Sequence, residues 1–340
     1  MKAIRVEKAV GMPLGHDLTE IIPGEFKGRA FSKGHIIRKE DLPRLLDIGK
    51  ENVYLLKLKQ DEIHEDEAAL RIARALAGPG LDYTAPVEGK VNLKSLWKGL
   101  LKVKVQGLNA INSLGNLVAS TMHNQTVVDQ DITVAGTRAI PLVIPAHQVE
   151  EVERIGKQFR PILEIKPFKT FKAGIVVTGN EIYKGRKEDR FGPVVEAKLA
   201  AYGSTVLEKI IVPDEKKAIV RAFNHLKNQG ADLLLATGGM SVDPDDKTPG
   251  AIKTLGAKIV SYGAPVLPGS MLLIAYLGSI PVMGLPGCVM HARTTALDLF
   301  LPRIHAGETI KRSDIAGLGH GGLCHGCTQC QFPHCAFGKK

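Results

Sequence analysis

Aromatic residues are scarce in this 340-residue chain, at 5%, and Trp97 is the one tryptophan. No segment interleaves Lys or Arg with aromatic side chains, so the stacking surface of a single-strand nucleic-acid binder is missing. No run approaches the roughly 20 apolar residues of a membrane span, which argues against a membrane role. The opening MKAIRVEKAVGMPLG lacks the apolar core and small-residue cleavage site of a secretory signal, so a cytoplasmic location is expected. Cysteine is almost confined to one place: four of the five lie within Cys324 to Cys335. No internal repeat or low-complexity tract is present.

The remaining composition is that of a soluble globular protein, 44% hydrophobic and 24% charged, long enough for two cores. The formal charge of +10 points to anionic partners: nucleic acid, a phosphorylated small molecule or an acidic protein. The poverty in aromatics ranks nucleic acid last.

Residues 1–160 read as a strand-rich, mixed α+β accessory domain. ENVYLLKL (51–58) has strand character, and 61–78 reads as an amphipathic helix through Ile63, Leu70, Ile72 and Leu76, with Gly78 as its C-terminal cap. Strand candidates follow at 82–93, 99–105, 116–121 and 131–144, and AHQVEEVERIGKQ (146–158) reads as a helix. Residues 161–172, with two prolines and several basic residues, read as a linker.

From Ala173 to about 305, strand candidates (AGIVVT, read as buried, then STVLEKIIV, ADLLLAT, KIVSYG, MLLIAYLG, IPVMG) alternate with helices. Asp214 is the expected N-cap of the helix over 214–230, Thr248 that of TPGAIKTLG, and VMHARTTALDLFLPRI (289–304) the closing helix. The alternation predicts an α/β fold: a three-layer, doubly wound, mostly parallel sheet.

In such sheets ligands bind outside the carboxyl ends of the strands. Three polar, glycine-bearing segments fall there: VTGNEIYKG (177–185), ATGGMSVDPDDKTP (236–249) and GLPGC (284–288). Glycine admits backbone N–H groups close to an anion, and Thr237, Ser241 and Thr248 supply hydroxyl donors. Asp243, Asp245 and Asp246 would repel a phosphate unless a cation lay between, and Mg²⁺ takes one or two protein carboxylates with water and substrate oxygens. Glu181 could reach the same crevice from another strand end. The competing reading is turn chemistry, with Asp246 capping the helix. Lys184, Arg186, Lys187 and Arg190 either attract the anion or form a solvated loop. The scattered histidines, such as His16, His64, His225 and His291, show no ligand spacing.

These segments resemble the molybdopterin-binding domain of molybdopterin adenylyltransferases and molybdopterin molybdenumtransferases (molybdenum insertases). TGNEI stands for the family's Thr-Gly-Asp-Glu, GGMSV for its Gly-Gly-Val-Ser-Val, DKTPGA for its Asp-x-Thr-Pro-Glu-Ala and GLPGC for its Leu/Met-Pro-Gly-Asn. Competence- and repair-type proteins share the domain. The long N-terminal region, with GTRAIPLVI, is similar to the insertase's accessory architecture. The resemblance implies that the strand ends bind molybdopterin or adenylyl-molybdopterin, and that molybdate is placed on the dithiolene as adenylate leaves. Glu181 and Asp246 match the family's acidic positions, implied to be catalytic with Mg²⁺ held by Asp246. Thr178, Gly179, Thr237, Gly238, Gly239, Ser241, Thr248, Pro286 and Gly287 would hold phosphate or pterin. Asn180 departs from the family's aspartate, Asp243 stands where the insertase has glycine, and Cys288 and Val289 replace Asn-Pro. Adenylyl transfer from ATP, or a non-catalytic carrier or sensor, are the alternatives. A homo-oligomer and docking to a molybdenum enzyme are further expectations.

The tail, 306–340, belongs to neither branch's pattern. Cys324, Cys327, Cys330 and Cys335 form C-x₂-C-x₂-C-x₄-C. Clustered thiols in a cytoplasmic chain suggest metal over disulfide. A 4Fe-4S cluster and a Zn²⁺ site with His325 or His334 as substitute ligands both fit. An unstructured reactive tail or tag is the alternative.

Overall fold

The computed structural model describes residues 3–55, 58–241, 243–244 and 246–339. The chain divides into two compact units at Ile165/Lys166, with Lys98–Leu100 and Gln125–Val127 counted in the second. Among the described residues no helix is long and apolar enough to cross a membrane.

The second unit carries the strand-end loops. Its sheet comprises β1 (Lys172–Thr178), β2 (Thr205–Val212), β3 (Leu233–Thr237), β4 (Lys258–Tyr262), β5 (Leu273–Leu277) and β6 (Ile280–Leu285), in the order β2-β1-β3-β6-β5-β4. The pairs β1/β2, β1/β3 and β3/β6 are parallel, and β5 runs antiparallel to β6 and β4. Side chains alternate across each strand, and β1 and β3 are apolar at both parities. Ala173, Ile175, Val177, Leu233 and Leu235 enter one core, while Val176, Leu234 and Ala236 enter a second core on the opposite face. A strand buried on both sides needs helices on both sides. Phe191–Ala200 and Ala296–His305 cover the first face, Lys216–Asn228 and Thr248–Thr254 the second. The result is a three-layer, doubly wound, mostly parallel fold. Fully buried Phe300 and Phe223 anchor the two cores, each side chain contributing about 2–3 kcal/mol of burial.

Sequence and structure part at several boundaries. The closing helix begins at Ala296, where Thr295 and Asp298 form a capping box; Gly287–Met290 is a separate 3₁₀ turn. The β-branched pair Thr294–Thr295 ends the apolar pattern that made 289–304 look continuous. Asp214 does not cap its helix, which runs Lys216–Asn228 with Glu215 at the N-cap; its carboxylate accepts from the Asn180 N–H at 2.8 Å. Thr248 is already the first helical residue, Lys247 the N-cap, and the Thr248 hydroxyl donates back to the Gly238 carbonyl at 3.0 Å. Within 161–172, Leu163–Pro167 is a strand. Residues 306–339 do not stand apart: Ile310, Ile315, Leu318 and Phe337 join the core of the second unit.

The first unit contains an antiparallel sheet in the order Leu81–Tyr83, Lys90–Ser95, Thr133–Ala139, Leu117–Thr121. Glu65–Leu76 and Ala146–Gln158 pack into its core. Gly78 is not a left-handed cap; Ala77 is the C-cap, and a Cβ at Gly78 would stand 2.6 Å from the Leu163 carbonyl oxygen. The expected strand 51–58 shrinks to Asn52–Tyr54, with Leu56 and Lys57 outside the described residues. A hairpin, Leu18–Ile22 with Phe26–Phe31, and a helix, Val105–Asn112, were not anticipated.

Candidate functional site

The chain places β2 on one side of β1 and β3 on the other, so the strand order reverses between β1 and β3. That switch point is where doubly wound sheets open a crevice. Thr178 ends β1 and Thr237 ends β3, directly beside it (Val177 pairs with Thr237). Both side chains are buried, 2% and 1% exposed, yet neither hydroxyl has a hydrogen-bond partner among the described residues. Buried polar groups are rarely left this way. Both residues line a recess of about 660 Å³ with Glu181, Lys187, Arg190 and Met290. Neither Lys187 nor Arg190 is ion-paired among the described residues, so the recess offers hydroxyls and uncommitted positive charge together.

A second recess of about 550 Å³ meets the first at Gly238 and Gly287. Its wall includes Gly239, Ser241, Asp243, Asp246, Pro286 and Cys288. The glycine pair lets the loop turn here. Gly238 has φ +84°, and a Cβ on it would lie 2.2 Å from the Thr178 carbonyl oxygen. Gly239 has φ +57°, with the Thr248 hydroxyl 2.7 Å from a Cβ. No other residue brings the ends of β1 and β3 so close at this backbone conformation.

The aspartates take different positions. Asp246 accepts the Asp243 N–H through its carboxylate at 3.1 Å and returns its own N–H to the Asp243 carbonyl at 2.9 Å. It therefore closes a turn instead of capping the helix, with both carboxylates on the recess wall. Asp245 lies outside the described residues. Glu181 is exposed and lines the first recess, so Glu181 and Asp246 sit on neighbouring recesses and do not share one. Among the described residues, no group of three or more His, Cys, Asp or Glu is gathered to hold a metal ion. Mg²⁺ typically takes one or two protein carboxylates; the described carboxylates on the wall of this recess are Asp243 and Asp246. Thr248 and Gly179 act behind the surface: the former ties Gly238, and the latter (φ +147°) passes close to the Glu181 carboxylate. Lys184 faces a different cavity.

Asn180 and Asp214 exchange bonds, Asn180 N–H to Asp214 and Asp214 N–H to the Asn180 side-chain oxygen at 3.4 Å. An aspartate at 180 would set two carboxylates against each other. Burial pushes the Cys288 thiol pKa up, which suits a small wall residue better than a nucleophile.

Two features escaped the sequence reading. Tyr262 donates its hydroxyl to the Met240 carbonyl at 2.9 Å and the Ser241 carbonyl at 3.2 Å, pinning the glycine loop. Burial first, and the Asp246 charge second, raise its pKa. The opposite wall is Leu267 to Met271. Its signal was legible: Leu267-Pro268-Gly269 repeats the tripeptide Leu285-Pro286-Gly287. Gly269 (φ +120°) allows the close passage, since a Cβ would meet the Ala296 nitrogen at 2.5 Å.

Residues 174–306 match the family described as a probable molybdopterin binding domain, and residues 3–57 match a domain of unknown function. A molybdopterin adenylyltransferase of Pyrococcus furiosus is 35% identical over 95 residues, 28% of this chain and 56% of that protein. A molybdenum cofactor biosynthesis bifunctional protein of Synechococcus elongatus is 34% identical over 85 residues, 25% of this chain and 27% of the relative. A CinA-like protein of Mycobacterium tuberculosis is 35% identical over 77 residues, 23% and 18% respectively. The chain thus spans about half or less of the length of these relatives. Among solved structures, the molybdopterin biosynthesis enzyme MoaB of Thermus thermophilus matches with 24% identity and TM-score 0.35, over 42% of this chain and 100% of that one.

Proposed function

With residues 174–306 being a domain of the molybdopterin-binding type found in molybdenum cofactor biosynthesis, we propose that the chain binds molybdopterin or its adenylylated form across the two recesses. The proposed activity is molybdate insertion with release of adenylate. The observation that carries the reading is the pair of buried, unpartnered hydroxyls of Thr178 and Thr237 at the switch point, beside Lys187 and Arg190. A phosphate oxygen accepts from hydroxyls and draws the cations, and a ligand with phosphates at its middle would lie over Gly238 and Gly287.

In this reading the chain's residues bind, orient and shield. Thr178 and Thr237 donate to the phosphate, the bare backbone at Gly238 and Gly239 lets the ligand approach, and Ser241 and Pro286 border the second recess. Asp243 and Asp246 would hold Mg²⁺, which supplies charge neutralisation at the phosphate–molybdate end. Glu181 stands on the other recess, placed to orient water or a phosphate oxygen. Adenylyl transfer from ATP is the second reading, favoured by the 35% identity to an adenylyltransferase.

Calorimetry on the full chain with molybdopterin and adenylyl-molybdopterin, with and without Mg²⁺ and molybdate, tests this. Molybdate-dependent adenylate release is the expected outcome. ATP consumption with molybdopterin would move the assignment to adenylyl transfer. Binding without turnover would leave a carrier or sensor, and no binding of either ligand sinks the reading. Glu181→Ala and Asp246→Ala should lower turnover while sparing binding; unchanged turnover in both would overturn their assignment.

A further inference from the structure

We propose that the C-terminal segment is a built seat for a cuboidal iron–sulfur cluster ligated by Cys324, Cys327, Cys330 and Cys335. This rests on no assumption about the pterin site.

All four cysteines line one cavity of about 310 Å³, together with His325 and Arg293. His334 is exposed and not on its wall. The segment around the cavity is folded protein. The Cys324 N–H donates to the Leu267 carbonyl and the Leu267 N–H to the Gly322 carbonyl, both at 2.8 Å, forming a parallel bridge of Leu267 with Leu323. Gly322 threads a gap in which a Cβ would stand 2.3 Å from the Pro265 carbonyl oxygen and 2.4 Å from that of Leu318. At the far end, the Gly338 N–H returns to the Gly321 carbonyl at 2.8 Å, and Phe337 is 3% exposed. Tags and reactive tails have no such closure.

The donor set then selects the occupant. A mononuclear zinc site requires four donors converging on a single point, with Zn–S about 2.3 Å. Here the four cysteines border one shared cavity of about 310 Å³, and among the described residues no three such donors are gathered on a point. A polynuclear core carries its ligands at its corners and fills a space. Four thiolates on a cuboidal core make an anion, and Arg293 lies on the wall to meet it. Thr294 places its hydroxyl 3.3 Å from the Cys330 sulfur, a hydrogen bond of the kind that tunes cluster potential. Phe332 and Phe337, with ring centroids 6.2 Å apart, keep the inner wall apolar. The sequence leaves zinc and iron–sulfur level; the room between the cysteines, with Arg293 on the wall and the Thr294 hydroxyl beside Cys330, favours the cluster.

Loading is by ligand exchange. Iron–sulfur bonds to a donor's small thiolates break, bonds to the four cysteine sulfurs form, and each cysteine proton leaves on a departing thiolate. No net redox step is needed. Anaerobic full-length protein mixed with a synthetic cuboidal cluster carrying small-thiol ligands should retain about four iron and four sulfide per chain after desalting, with a visible charge-transfer band. Cys327→Ser, at the exposed position, should lose most of the bound iron at unchanged circular dichroism, while Cys288→Ser keeps it. Iron without sulfide, no uptake, or tightly held stoichiometric zinc that resists exchange would each overturn the proposal. So would a Cys327→Ser variant that binds as much cluster as the parent.

Discussion

Thr178 is a residue whose worth to the fold and to the site have opposite signs. Its hydroxyl is desolvated and has no partner among the described residues, so removing it relieves a cost of about 1–3 kcal/mol. Thr178→Val should leave the chain as stable or more so in urea unfolding. The same variant should bind adenylyl-molybdopterin roughly ten- to hundredfold more weakly, the loss expected for a hydrogen bond to a charged oxygen of about 1.5–3 kcal/mol. Equal binding by the variant would place the ligand elsewhere. At Glu65 the effect runs through pH. Burial first, and the neighbouring Asp66 charge second, raise its pKa from 4.5 to about 7. A carboxyl raised on folding holds more protons in the native state, so stability falls as pH rises from about 4.5 to about 7 and then levels. Glu65→Gln removes that dependence. Its denaturation midpoint should change less across this window than the parent's, and should exceed the parent's at pH 8.

At the scale of elements, the loop after β3 is held by a residue from β4. Tyr262→Phe deletes the hydroxyl that binds two successive carbonyls of that loop. The expected stability loss is about 1 kcal/mol, while ligand affinity should fall by a larger factor because Ser241 and the aspartates are no longer pre-set. Parallel falls in stability and affinity would show the loop to be positioned otherwise. What the sequence made legible at this scale was periodic. Strand–helix alternation marked the α/β domain because each buried strand is a short apolar run bounded by glycine or aspartate. The 146–158 helix was readable at its observed limits. What stayed hidden was set by tertiary contact. Tyr262 lies 22 residues from the carbonyl it holds, and no local pattern records that. Asp214 looked like a cap since caps and inter-loop anchors use the same residue types. Gly78 looked like a helix stop, whereas its missing Cβ serves the approach of Leu163. The site residues were readable as types at strand ends. Their division between two recesses, with Glu181 and Asp246 apart, depended on how far the glycine loop folds back toward Thr178.

For the whole molecule, the notable fact is that one short segment serves two cavities. Pro268 lines both the aspartate recess and the cysteine cavity, and Leu267 before it is hydrogen-bonded to Gly322 and Cys324. In amide hydrogen exchange, the cluster-free protein should exchange faster over 265–270 and 322–335 than the loaded protein, with the β1 and β3 amides unchanged. Exchange confined to 322–335 would mean that the bridge transmits nothing.

The Leu267–Leu323 bridge also has a thermodynamic consequence. If each occupant orders the same stretch of backbone, whichever binds first meets the entropy of ordering and the second binds to a wall already fixed. The coupling free energy belongs to the pair, so the factor by which a cluster tightens adenylyl-molybdopterin binding must equal the factor by which that ligand tightens cluster retention. A chain coupled in this way would hold either proposed ligand more weakly whenever the other was absent, and by the same factor in both directions.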